Sequence, residues 1–173
     1  MKQRNQPTQP IKQGRRRWGR AQLDEIGDPY RASEKPHEPA VCPQCGALFQ
    51  EGRWQWRWPS APAHREQRLC QACHRANDHF PAGILTLKGS FVPSHREELI
   101  RLAHHQETIE NAEHPMNRIL DMEEGPDSIV INTTDVHLPR RIGTACKRAF
   151  NGTLTLHYDE DGYFLRADWH RDD

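Results

Sequence analysis

The sequence predicts an α+β fold: a small zinc ribbon with a single four-cysteine site, a linking helix, and a ββαββ unit. Three observations predict it. Two Cys-x-x-Cys pairs, Cys42/Cys45 and Cys70/Cys73, are separated by 24 residues, a metal-ligand spacing. Residues 95–112 place mostly apolar side chains at helical intervals. Residues 117–169 combine β-branched, alternating segments with one amphipathic helical stretch. The 173 residues allow one or two small domains. They divide into a basic tail expected to lack structure (1–40), the ribbon (41–80), a strand with the linking helix (81–113) and an α/β domain (114–173).

The tail is rich in Gln, Pro, Arg and Asn and poor in aliphatic residues. Such a segment buries too little apolar surface to offset its ordering entropy. Residues 1–20 carry seven cations and no acid. Within them Arg15, Arg16 and Arg17 suit phosphates, and Trp18 can stack on a base; the alternative is a solvated, solubilising tail. The chain is formally neutral, yet residues 114–173 hold eleven acids against seven bases, so local runs say more about partners than the sum. No apolar run approaches the roughly 18 residues of a membrane helix. The N-terminus lacks the apolar core of a secretory signal. A cytoplasmic location is therefore expected, where reducing conditions keep thiols available for metal.

Thiolates suit zinc, which prefers four tetrahedral ligands. Gly46, directly after the first pair, permits the positive φ of a tight turn. Cys42, Cys45, Cys70 and Cys73 leave no open coordination position, so one structural Zn2+ is expected. The alternatives are two disulfides or four separate buried thiols. His74 and His79 follow the second pair and are not needed as ligands. Between the pairs, Arg53-Trp54-Gln55-Trp56-Arg57-Trp58 alternates as a strand would. The tryptophans then fill the small core, and Arg53 and Arg57 face outward toward phosphates.

A short strand is expected over 84–87. Ser94 and Glu97 form a capping-box pattern that opens a helix over 95–112. Leu99, Leu102, Ala103, Gln106 and Ile109 make its inner stripe, His104 and His105 are solvated, and Pro115 stops it at His114. Strands follow over 117–123 and 128–134. The next helix spans 137–150, with Leu138, Ile142, Ala145, Cys146 and Ala149 inward and Pro139 in the first turn. Cys146 reads as an inert buried thiol. Asn151-Gly152 closes the helix, and strands over 153–158 and 163–169 flank a hairpin turn at 159–162.

Thr133, Thr134, Asp135 and His137 are the one cluster that invites a catalytic reading; helix capping by Thr134 or Asp135 explains it as well. Neither a nucleoside-triphosphate loop nor a dinucleotide fingerprint occurs, so no nucleotide cofactor and no enzyme is expected. Arg140/Lys147 and Arg141/Arg148 are each seven apart, on adjacent edges of one helix. Four such charges suit RNA phosphates, and they also suit a solvated surface.

Several motifs carry a resemblance. They are Cys42-Pro-Gln-Cys45-Gly46-Ala-Leu-Phe49 with Gly52-Arg-Trp-Gln-Trp56, Cys70-Gln-Ala-Cys73 with Phe80-Pro-Ala-Gly83, His114-Pro115-Met-Asn-Arg-Ile119, and Thr133 to Gly143. Over about residues 41–169 the chain resembles an uncharacterised bacterial zinc-ribbon family. That ribbon is distantly similar to the one in the nuclear export adaptor of the large ribosomal subunit and its archaeal relatives, which bind ribosomes. The resemblance implies zinc ligation by the four cysteines and no catalytic residue. The expected function is a non-catalytic zinc-ribbon protein that binds RNA on the ribosome. The second reading is a protein–protein adaptor using the ribbon and the α/β unit, and the third an enzyme at the Thr133–His137 turn. Salt dependence separates the first two, because phosphate contacts weaken steeply with salt.

Overall fold

The computed structural model describes Tyr30 and residues 36–56, 65–160 and 162–173. Arg15, Arg16, Arg17, Trp18, Arg57 and Trp58 lie outside the described residues. The first unit is a mixed sheet of four very short strands, β1 (Ala40–Val41), β2 (Leu48–Gln50), β3 (Arg53–Gln55) and β4 (Glu66–Gln67), in the order β3-β2-β1-β4. The β1–β2 connection is the first cysteine turn. The Cys42 N–H donates to the Ala47 carbonyl at 2.8 Å, and the Gly46 N–H to the Cys42 carbonyl at 2.9 Å. Gly46 sits at φ +78°, where a side chain would be strained. Two of the expected core tryptophans are described. Trp54 meets Phe49 edge-on at 5.3 Å, and Trp56 packs against the cysteines.

Helix α1 (Gln71–Asp78) opens at the second cysteine pair and is an element not expected from the sequence within residues 41–80. Cys70 is its N-cap, with its sulfur accepting from the Cys73 N–H. The cause is local. The segment contains no β-branched residue, and a side-chain acceptor at the cap satisfies an orphan N–H of the first turn.

The second unit comprises β5 (Gly83–Lys88), α2 (Phe91–Glu113), β6 (Ile119–Glu124), β7 (Ser128–Thr133), α3 (His137–Phe150), β8 (Thr153–Tyr158) and β9 (Leu165–His170). The expected strand–strand–helix–strand–strand order recurs, but the two hairpins do not touch. Strand β5 lies between them, antiparallel to β7 and parallel to β9, giving the order β6-β7-β5-β9-β8. The segment assigned to a link thus supplies the central strand. β7 and β9 each expose a backbone edge that must be paired once buried, and β5 pairs both along its whole length. Partners so distant in sequence leave no local signal.

A single apolar core joins the two helices to one face of this sheet. Leu85 and Leu87 of β5, Ile129 and Ile131 of β7, and Ala167 and Trp169 of β9 meet Leu99 and Ala103 of α2 and Leu138, Ile142 and Cys146 of α3. Gly143 lets α3 approach closely, because a Cβ there would lie 2.7 Å from Leu154 Cδ1. Helix α2 starts earlier than its capping pattern, at Phe91, and departs from helical geometry at His95. Phe91 and Val92 are buried in the core, and that burial draws the extra turn into the helix. Its far end differs as well. Ile109 is 42% exposed, while Glu107 accepts from the Ile119 N–H at 2.7 Å and Glu110 pairs with Arg141. Polar anchors therefore hold the C-terminal half of α2 where an apolar stripe was expected. Ala149 is exposed too, beside the groove that opens between the helices.

Within the segment expected to lack structure, Tyr30 donates to Asp78 at 2.6 Å and rests on Phe80, and Ala40 is fully buried in β1. Among the described residues no helix is long and apolar enough to cross a membrane.

Leu99→Ala should cost about 3 kcal/mol, the usual scale for a buried leucine. Ile109→Ala should stay within about 0.5 kcal/mol, as for ordinary surface positions. Urea unfolding of both variants checks the contrast.

Candidate metal centre and basic helix

Two independent local structures deliver the sulfurs. The β1–β2 turn carries Cys42 and Cys45, and the N-terminus of α1 carries Cys70 and Cys73. All four Sγ atoms lie within 4.8 Å of one another, so the group can hold one metal ion. All are free thiols. The Cys45 and Cys70 sulfurs are 3.7 Å apart, close to the ~3.8 Å edge of a tetrahedron with ~2.3 Å metal–sulfur bonds. Cys42, Cys70 and Cys73 are buried. Ala47 and Ala72 pack against them, with Trp54, Trp56, Leu69 and Met116 around the edge. Neither His74 nor His79 belongs to the group.

The electrostatics of the cluster pull in two directions. Burial pushes the Cys42 thiol up, but N–H groups of Cys70, Cys45 and Gln44 outweigh it and bring the thiol down to about 7. Burial lifts Cys70 far above the ordinary thiol range, and it raises Cys73 against the opposing pull of Arg118. Ionising Cys70 and Cys73 in this pocket therefore requires positive charge, and a cation held there would supply it.

Arg118 supplies part of that charge from the second unit, and sequence reasoning assigned it no role. It immediately precedes β6. Its Nη2 donates to Cys45 Sγ at 3.2 Å and its Nη1 to Cys73 Sγ at 3.4 Å, with Cys70 Sγ at 3.9 Å from Nη2. Nε is held by the Pro115 carbonyl at 2.7 Å. Burial works against the charge of the guanidinium, but its bonds to Cys45 and Cys73 outweigh that and raise its pKa. It stands 45 residues from Cys73, beyond any spacing rule.

The basic residues fare unequally. Arg53 is exposed at the start of β3. Arg140, Lys147 and Arg148 are exposed on α3. Arg141 is drawn back to α2, where it pairs with Glu110 and reaches Gln106 at 3.4 Å. Arg140, Arg141 and Arg148 border an open groove of about 900 Å³ between α2 and α3, whose lining includes Leu102, His114, His137, Ala145 and Ala149.

The Thr133–His137 turn is built for capping. Asp135 Oδ2 accepts from the N–H groups of His137 at 2.6 Å and Leu138 at 3.1 Å. Thr134 Oγ1 accepts from the Arg118 N–H at 2.9 Å, and Thr133 Oγ1 donates to the Asp135 carbonyl. Asp135 Oδ1 is buried with no partner among the described residues. Cys146, in the core, is pushed by burial to about 12 and is inert at neutral pH.

Comparison with protein-family models, curated proteins and solved structures returns no match, so the reading of this site rests on its own geometry and chemistry.

Burial raises the Asp135 carboxyl from its ordinary 3.8 to about 6, against the two N–H donors that favour its charge. Between those values the unfolded chain releases the proton first. The contribution to stability is thus present at the acid end and is lost as pH rises through about 4 to 6. Asp135→Asn keeps an acceptor for the cap and removes the titration. Its melting temperature should fall less than that of the wild type between those pH values.

Proposed function

We propose that this is a non-catalytic RNA-binding protein built on one structural zinc ion and acting in the cytoplasm on the ribosome. The metal identity rests on donor chemistry. Four thiolates closing a tetrahedral pocket suit zinc, and they leave no position for a substrate. Cys42, Cys45, Cys70 and Cys73 would hold the ion, which supplies folding energy to a unit too small for a large apolar core.

The RNA reading is carried by one observation: Arg140, Lys147 and Arg148 stand exposed on α3, and no ion pair among the described residues holds them. An unneutralised cationic face on a domain with excess acid is suited to an anionic partner. Arg53 adds a charge on the metal unit. The tail residues Arg15, Arg16, Arg17 and Trp18, together with Arg57, would add phosphate and stacking contacts blind to sequence. Arg141 is better assigned to holding α3 against α2, since its charge is already paired. The adaptor reading keeps the same groove but fills it with a protein segment.

The purified chain should contain one zinc, and Cys42→Ser should lose it; full occupancy in that variant, or iron in protein from the native host, contradicts the assignment. Fluorescence anisotropy with a labelled single-stranded RNA at several salt concentrations tests the partner. Reversal of Arg140, Lys147 and Arg148 to Glu should lower the log–log salt slope by about 2, at roughly 0.7 per contact. Binding that ignores both salt and the triple reversal sinks the RNA reading in favour of a protein partner.

A further inference from the structure

We propose that Arg118 is the positioning residue that makes the metal unit and the α/β unit stabilise each other, so that metal retention and order at the β6–α3 junction are one property. The inference deepens the metal reading above and rests on it. Three features of Arg118 carry it. Its guanidinium is aimed at three of the four sulfurs, and its plane is fixed by the Pro115 carbonyl and lies 5.8 Å from the Trp56 ring centre. Its backbone closes the junction from the other side. The Arg118 N–H donates to Thr134 Oγ1, and the Thr134 N–H donates to the Arg118 carbonyl, each at 2.9 Å. Thr134 is next to Asp135, which caps the basic helix α3.

Four thiolates around a divalent cation carry a net charge of about −2, and hydrogen bonds from a cationic donor to such a centre are the strong kind. Arg118 offers a rigid, always-charged fork, so it spans several sulfurs where a point charge would touch one. Once the cation leaves, nothing fixes the sulfurs at the positions the fork reaches. The guanidinium then loses its set partners in a place that costs it hydration. Its hold on the junction weakens. Coupling between two equilibria is reciprocal, so weakening the junction must also speed metal loss.

Three variants of the full chain separate charge from packing. Arg118→Met keeps length without charge, Arg118→Lys keeps charge without the fork, and Thr134→Val removes Oγ1, which accepts from the Arg118 N–H and is bonded to no sulfur. Zinc release is followed with a chromophoric chelator, and hydrogen exchange is followed at the Ile119 and Thr134 amides with and without chelator. Arg118→Met should release zinc about tenfold to a hundredfold faster, the range for losing a hydrogen bond to a charged group. Arg118→Lys should fall between it and the wild type, and Thr134→Val should release several-fold faster than the wild type. Chelation of the wild type should deprotect both amides, whereas in Arg118→Met they should be unprotected beforehand. A wild type without zinc overturns the metal reading and this inference together. A zinc-loaded wild type overturns this inference alone if Arg118→Met or Arg118→Lys retains zinc as the wild type does, or if Met outperforms Lys. Should Arg118→Met not fold, chelation of the wild type decides: amide protection indifferent to zinc removal overturns the coupling.

Discussion

Convergence of four sulfur atoms from two separate stretches is the constraint on which the first half of the chain depends. Strands of two or three residues cannot hold a sheet by backbone pairing alone. The sheet β3-β2-β1-β4 persists because its turn and the start of α1 are tied at one point. Burial opposes ionisation of Cys70 and Cys73, so the tie needs compensating positive charge. Arg118 brings one unit of it from the segment just before β6. A metal ion in the pocket would bring two more, and with them the energy that the small apolar core cannot supply.

The second half depends on apolar burial and on one non-local pairing. β5 holds β7 and β9 together, and the two helices cover the resulting face with Leu99, Leu138 and Ile142 at its centre. Where the apolar contact thins, at the C-terminal half of α2, charged side chains take over through Glu107 and Glu110. This explains the uneven fate of the α3 cations. Arg141 reaches Glu110 of α2 and is consumed by structure, while Arg140, Lys147 and Arg148 are exposed and held by no ion pair among the described residues.

Much of this was legible in the sequence where the determinant was local. The bounds of α3 and β8 follow from helical spacing, a tolerated Pro139 and the Asn151-Gly152 stop. The cysteine group is legible from spacing alone. One local determinant was missed: Cys70 caps a helix in a segment without β-branched residues. Features set by distant partners were not legible. Phe91 extends α2 because the core accepts it. The central place of β5 depends on partners 40 to 82 residues away, and Arg118 reaches its sulfurs only through the docking of the two units. The exposure of Ile109 reflects polar anchors that periodicity cannot reveal.

The central claim is a closed four-sulfur metal centre, and zinc-edge X-ray absorption on the purified full-length chain tests it most directly. The account predicts a first shell of four sulfur scatterers at about 2.3 Å with no nitrogen or oxygen ligand. A mixed shell with nitrogen or oxygen, or a chain that carries no zinc, would contradict it.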